Sequence, residues 1–70
     1  MKLKVNGEFK FISTSKNSIY LSAVIAELGY HPKSIVIELN GLIINPKLWK
    51  KTEVVENDNL EIVTIVGGGA

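Results

Sequence analysis

Leu3 and Val5 alternate with Lys2 and Lys4, the two-residue period of a half-buried strand. Asn6-Gly7 comes next, a pair that tolerates positive φ at both positions, and Phe9 and Phe11 then alternate with Lys10 through about Ile12. This pattern predicts an N-terminal β-hairpin. After the polar connector Ser13 to Ser18 the period changes. Leu21, Val24, Ile25 and Leu28 recur at helical spacing, with Ser22, Ala26 and Glu27 on other faces. Gly29 is placed to end that helix in a left-handed conformation, and Pro32 forbids its continuation. Ser18 and Asn17 are both candidate N-caps.

The second half returns to period two. Ser34 to Leu39 reads as a strand with Ile35, Ile37 and Leu39 on one face and Val36 and Glu38 on the other. Asn40-Gly41 repeats the turn chemistry of Asn6-Gly7, Leu42-Ile43-Ile44 forms a short return strand, and Pro46 can open a single helical turn over Lys47 to Lys50. Trp49, the one tryptophan, is large enough to close the bottom of a small core. Thr52 to Glu56 reads as a connection, and Asn57-Asp58-Asn59 as a tight polar turn. Leu60 to Val66 is apolar except at Glu61 and Thr64, which predicts a central strand buried on both faces. Its natural parallel neighbour is the first strand.

Hairpin, helix, strand, short strand, helical turn and final strand make an α+β arrangement, with one main helix across one face of a mixed sheet. That order, with first and last strands paired, is the β-grasp or ubiquitin-like layout. It predicts one domain over residues 1–66, followed by a flexible glycine tail over residues 67–70.

Composition narrows the chemistry. Of the 70 residues, 46% are hydrophobic and 21% charged, a globular balance. Eight basic residues, all Lys and scattered from Lys2 to Lys51, face seven acidic ones, so no basic stripe is present to track a nucleic acid. The absence of cysteine removes disulfides, thiolate metal sites and cysteine nucleophiles together. No apolar run approaches the ~20 residues that span a bilayer, and Met1 to Lys4 alternates like a strand instead of a signal peptide. A soluble chain of the cytoplasm is expected, or of the plastid stroma if the gene is organellar.

Side chains offer little catalysis. His31, the one histidine, lies between Tyr30 and Pro32 with no second metal ligand at suitable spacing. Glu53, Glu56 and Glu61 read as solvated charges, Asp58 as a turn residue, and the serines have no partner base. The glycine run at Gly67-Gly68-Gly69 follows a strand and precedes no helix, so it is no phosphate cradle. What remains is the terminal carboxylate, held on residues slender enough to thread a channel in another protein's active site.

With those elements placed, the chain resembles the ThiS branch of the ubiquitin-like superfamily, the small sulfur carriers of thiamin biosynthesis. The resemblance rests on Asn6-Gly7, Ala26-Glu27-Leu28-Gly29, Leu39-Asn40-Gly41 followed by Trp49, Asn57-Asp58, Leu60-Glu61-Ile62-Val63 and the glycine tail. It implies that a ThiF-type adenylyltransferase uses ATP and magnesium to activate the terminal glycine carboxylate. A sulfur donor such as a cysteine desulfurase then makes the thiocarboxylate, and thiazole synthase takes its sulfur. The carrier itself is implied to be no enzyme and to bind neither metal nor cofactor. The family ends in Gly-Gly, and its register places that pair on Gly68 and Gly69, with Gly67 before them. Ala70 is left over, to be trimmed before activation, tolerated by the partner as an alanine end, or foreign to the functional protein, with trimming or a foreign end favoured over an adenylated alanine. Other departures are a longer connector before the helix, Pro46 one place late, and Asn57 where glycine is common. Val63 and Ile65, whose alternation opposes Leu60 and Ile62, are the candidate docking residues, and Ile65 and Val66 are apolar anchors where the tail leaves the domain. The competing expectations are the small subunit of molybdopterin synthase, with the same carboxylate chemistry, and a ubiquitin-like interaction module with an inert tail.

Overall fold

Both Asn-Gly pairs turn the chain as their chemistry requires. In the computed structural model, which describes residues 1–65, Asn6 and Gly7 have φ of 50° and 83°, and Asn40 and Gly41 have φ of 51° and 88°. Two successive positive φ values match the right-handed twist of the strands they join. The first turn links β1 (Lys2–Val5) to β2 (Glu8–Phe11), and the second links β4 (Ile35–Leu39) to β5 (Leu42–Ile43). Between the hairpins run β3 (Ser18–Tyr20) and an α-helix, α1 (Leu21–Leu28), the one such helix among the described residues; after them come β6 (Glu53–Val55) and β7 (Asn59–Thr64). Single 3-10 turns span Pro32–Ser34 and Pro46–Leu48.

The main sheet has the order β2-β1-β7-β4-β5. β7 lies in the middle, parallel to β1 and antiparallel to β4, as the sequence pattern predicts. Leu3, Val5, Ile35, Ile37, Leu60 and Ile62 project from one face and pack with Leu21, Val24 and Ile25 of the helix. Trp49 is 5% exposed and closes this core, its indole N–H donating to the Ile44 carbonyl at 3.0 Å. No polar or charged residue is buried among those described. The fold is therefore the α+β β-grasp that the element order implies.

Three local expectations are corrected. β7 is central, yet only Leu60 and Ile62 are buried along it, while Val63 is 60% and Ile65 52% exposed. One helix covers one face of the sheet, so an apolar central strand here has an open side. The connector before the helix and the segment after Thr52 are not plain loops either: β3 and β6 pair antiparallel as a separate two-stranded sheet, Ser18 opposite Val55 and Tyr20 opposite Glu53. That pairing holds Ser18, whose hydroxyl donates to Glu53 Oε1 at 2.7 Å, so neither it nor Asn17 caps the helix. The cap position is Tyr20, and the first helical N–H groups find main-chain acceptors instead: Leu21 N–H donates to Thr52 O at 2.8 Å and Ser22 N–H to Trp49 O at 3.1 Å. The other helix end follows expectation. Gly29 takes φ 81°, donates to Ala26 O, and lets Tyr30 N–H reach Ile25 O, a Schellman closure.

Candidate functional site

Registers across β4, β7 and β5 define the open side of the sheet. Val36 is paired with Val63, Glu38 with Glu61, and Ile43 with Glu38, and residues opposite one another in antiparallel strands share a face. Ile65 continues the Val63 side of the chain, held by its N–H donating to Ser34 O at 2.6 Å. The result is an exposed aliphatic cluster of Val36, Val63 and Ile65 where the described chain ends, and beside it a like-charged cross-strand pair, Glu38 and Glu61. Farther along the same face, Lys2 Nζ lies 4.7 Å from the centroid of the Phe9 ring, and Phe11, opposite Lys2, is 78% exposed. Exposed aliphatic residues grouped on one face are a docking signature when scattered ones are not.

Two side-chain clamps hold β7 so that its end is fixed. Asn6 Oδ1 accepts from Ile62 N–H at 2.7 Å and its Nδ2 donates to Ile62 O at 3.1 Å. The carboxamide thus continues the parallel ladder one step after the β1 backbone has turned away. At the start of β7, Asn40 Oδ1 accepts from Asn59 N–H at 2.9 Å and Asn40 Nδ2 donates to Asp58 Oδ1 at 3.0 Å. The second Asp58 oxygen accepts from Val55 N–H at 2.9 Å. Both turn asparagines therefore serve a second purpose, bracing the strand from which the tail departs.

The candidates for side-chain chemistry disperse. His31 is an exposed residue preceding the 3-10 turn at Pro32–Ser34. Glu53 is engaged by Ser18, Glu56 Oε2 accepts from Lys2 N–H at 3.0 Å, and Glu61 lies on the open face. Among the described residues, no group of three or more His, Cys, Asp or Glu could hold a metal ion. Val63 and Ile65 stand on the open face as expected. Val66, Gly67, Gly68, Gly69 and Ala70 lie outside the described residues, and so does the boundary drawn between domain and tail. The partner of Val63 on this face, Val36, was missed from sequence. The alternation of β4 placed Val36 opposite the core residues, but only the register brings it beside Val63.

The family model described as the ThiS family matches residues 3–69, nearly the whole chain. The chain belongs to the ThiS family. A crystal structure of the thiamine biosynthesis protein ThiS from Geobacter metallireducens superposes with a TM-score of 0.83 at 26% identity, covering 99% of this chain and 100% of that one. The ycf40 protein of Trieres chinensis is 38% identical over 65 residues, 93% of this chain and 85% of the relative. A thiazole synthase of Paramagnetospirillum magneticum is 34% identical over 70 residues, all of this chain but 21% of that protein. The ThiS-like portion is thus about a fifth of the bacterial protein. Among the described residues no helix is long and apolar enough to cross a membrane.

Proposed function

We propose that this ThiS-family chain is a sulfur carrier for thiazole formation in thiamin biosynthesis, acting as a cosubstrate and not as an enzyme. The observation that carries this is the family match along residues 3–69, and its end point supports Gly69 as the residue that is activated. The partner adenylyltransferase joins the terminal carboxylate to AMP from ATP, with magnesium and with loss of pyrophosphate. This step is needed because a carboxylate is a poor electrophile until a leaving group is attached. Sulfide, or a persulfide whose acyl disulfide product is then cleaved by a reducing thiol, attacks the acyl carbon, AMP leaves, and the end becomes C(=O)S⁻. The full-length alignment with a segment of a protein named thiazole synthase supports that enzyme class as the receiver of the sulfur.

The described fold suits such a role. β7 ends at Thr64 in mid-sheet, beside an exposed aliphatic cluster that can seat a partner while the following residues enter its active site. The four residues after Ile65, through Gly69, extend at most about 13–14 Å, so the partner must approach this end of the sheet closely. Gly68 and Gly69 supply the slender end, and a Cβ at Ala70 would crowd a channel shaped for glycine, so Ala70 is removed before activation.

The test is to incubate the protein, with and without Ala70, with a ThiS-activating adenylyltransferase, ATP, magnesium and sulfide, and to weigh the intact product. Exchange of one oxygen for one sulfur is expected on the form ending in Gly69. If neither form yields an acyl-adenylate or a thiocarboxylate, the chain is an inert ubiquitin-like module. Rescue of a molybdopterin mutant instead of a thiazole auxotroph would assign the same chemistry to molybdopterin synthase.

A further inference from the structure

Beside Ile65, around the end of the sheet from the open face, lies a groove of about 600 Å³. Ile35 and Trp49, both core residues, form its floor, with Val36 and Ile65 along one side and the exposed Lys33 and Lys50 at its rim. Among the described residues, no carboxylate lines it. Among the described residues the one ion pair joins Lys10 to Glu8 on β2, at 3.8 Å, so neither rim lysine is neutralised by a neighbour there. Val36 and Ile65 belong to the groove and to the open face at once, which makes the two surfaces continuous.

We propose that this groove is a socket for the enzyme that activates the tail, receiving an apolar anchor of leucine to phenylalanine size flanked by one or more carboxylates. The proposal rests on the carrier function given above and specifies how that partner is gripped. An enzyme that draws the residues after Ile65 into its active site must cover the surface next to Ile65, and the groove is that surface. Its apolar floor rewards a desolvated anchor, as the central pockets of protein interfaces do, while the paired lysines steer and orient acidic flanking residues. The like-charged rim also rejects a basic segment.

Two variants test it by different physics. Lys33→Glu combined with Lys50→Glu reverses the rim, and Ser22→Leu, at a half-buried helix position lining the groove, fills it without touching the tail. Adenylation of the carrier by the activating enzyme is followed by pyrophosphate release over a range of carrier concentrations. KM is expected to rise about tenfold or more in each variant with kcat within about twofold, since the contacts removed are equal in ground and transition states. For the wild-type carrier KM should also climb with ionic strength, and this dependence should flatten or invert in the charge-reversed carrier. An unchanged KM in both variants, with circular dichroism showing both folded, overturns the socket while leaving the carrier function intact. A wild-type carrier that is never adenylated removes both. If deletion of residues 66–70 shifts the Lys33 and Trp49 amide resonances and added enzyme does not, the groove belongs to the chain's own tail and the proposal fails.

Discussion

Replacing Asn6 by glycine removes the clamp on β7 while preserving the turn. Asn6 has φ 50°, which glycine adopts at no steric cost, so Asn6→Gly deletes the carboxamide without straining the backbone. Two partly buried hydrogen bonds to Ile62 are lost, at 2.7 and 3.1 Å. A net value of about 0.5–1.5 kcal/mol for each, plus the cost of leaving the Ile62 N–H and carbonyl less well satisfied, gives about 2–3 kcal/mol. A 70-residue domain has on the order of 3.5–10 kcal/mol in total, so this is a large fraction. The melting temperature should fall by roughly 10–20 °C. Asn57, exposed and at φ 68°, supplies the control, and Asn57→Gly should stay within about 0.5 kcal/mol of wild type. Urea denaturation of the three proteins measures both. Equal stability of Asn6→Gly and wild type would refute the idea that the side chain extends the parallel ladder.

Other expectations follow from the same geometry. Trp49→Ala should cost about 3–5 kcal/mol, while Trp49→Phe, which keeps most of the apolar volume but loses the bond to Ile44 O, should cost less; thermal melts rank them. Val63→Asp, on an exposed site, should change stability by no more than about 1 kcal/mol yet raise the KM of the activating enzyme for the carrier about tenfold. Deleting Gly69 together with Ala70 should abolish sulfur transfer and leave the melting temperature almost unchanged, because among the described residues every buried core residue lies between Leu3 and Ile62.

The elements with short-range causes were legible in the sequence. Asn6-Gly7, Asn40-Gly41 and Gly29 specify their conformations through local φ preferences, and the Leu21, Val24, Ile25 stripe specifies a helix wherever it is placed. β3 and β6 were not legible, because Ser18–Tyr20 and Glu53–Val55 are three residues each and gain their pairing from one another across the chain. The helix cap was misjudged for the same reason: the acceptors of its first N–H groups are Trp49 and Thr52 carbonyls, which no local pattern displays. The one-sided burial of β7 depended on how many helices the chain could supply to cover the sheet. For the site, Val63 and Ile65 could be assigned to the open face by alternation along one strand. Val36, Ile43 and the Glu38–Glu61 pair needed register, and the groove beside Ile65 needed the packing of two 3-10 turns against the sheet.

In the proposed sulfur carrier the chemistry resides at the glycine end, at Gly69. Mass spectrometry of the C-terminal peptide, after incubation with activating enzyme, ATP, magnesium and a sulfur source, tests it most directly. A peptide ending at Gly69 and carrying one sulfur in place of one oxygen is the expected result. A C-terminal peptide that never gains sulfur, from the full chain or from the chain lacking Ala70, contradicts a sulfur carrier.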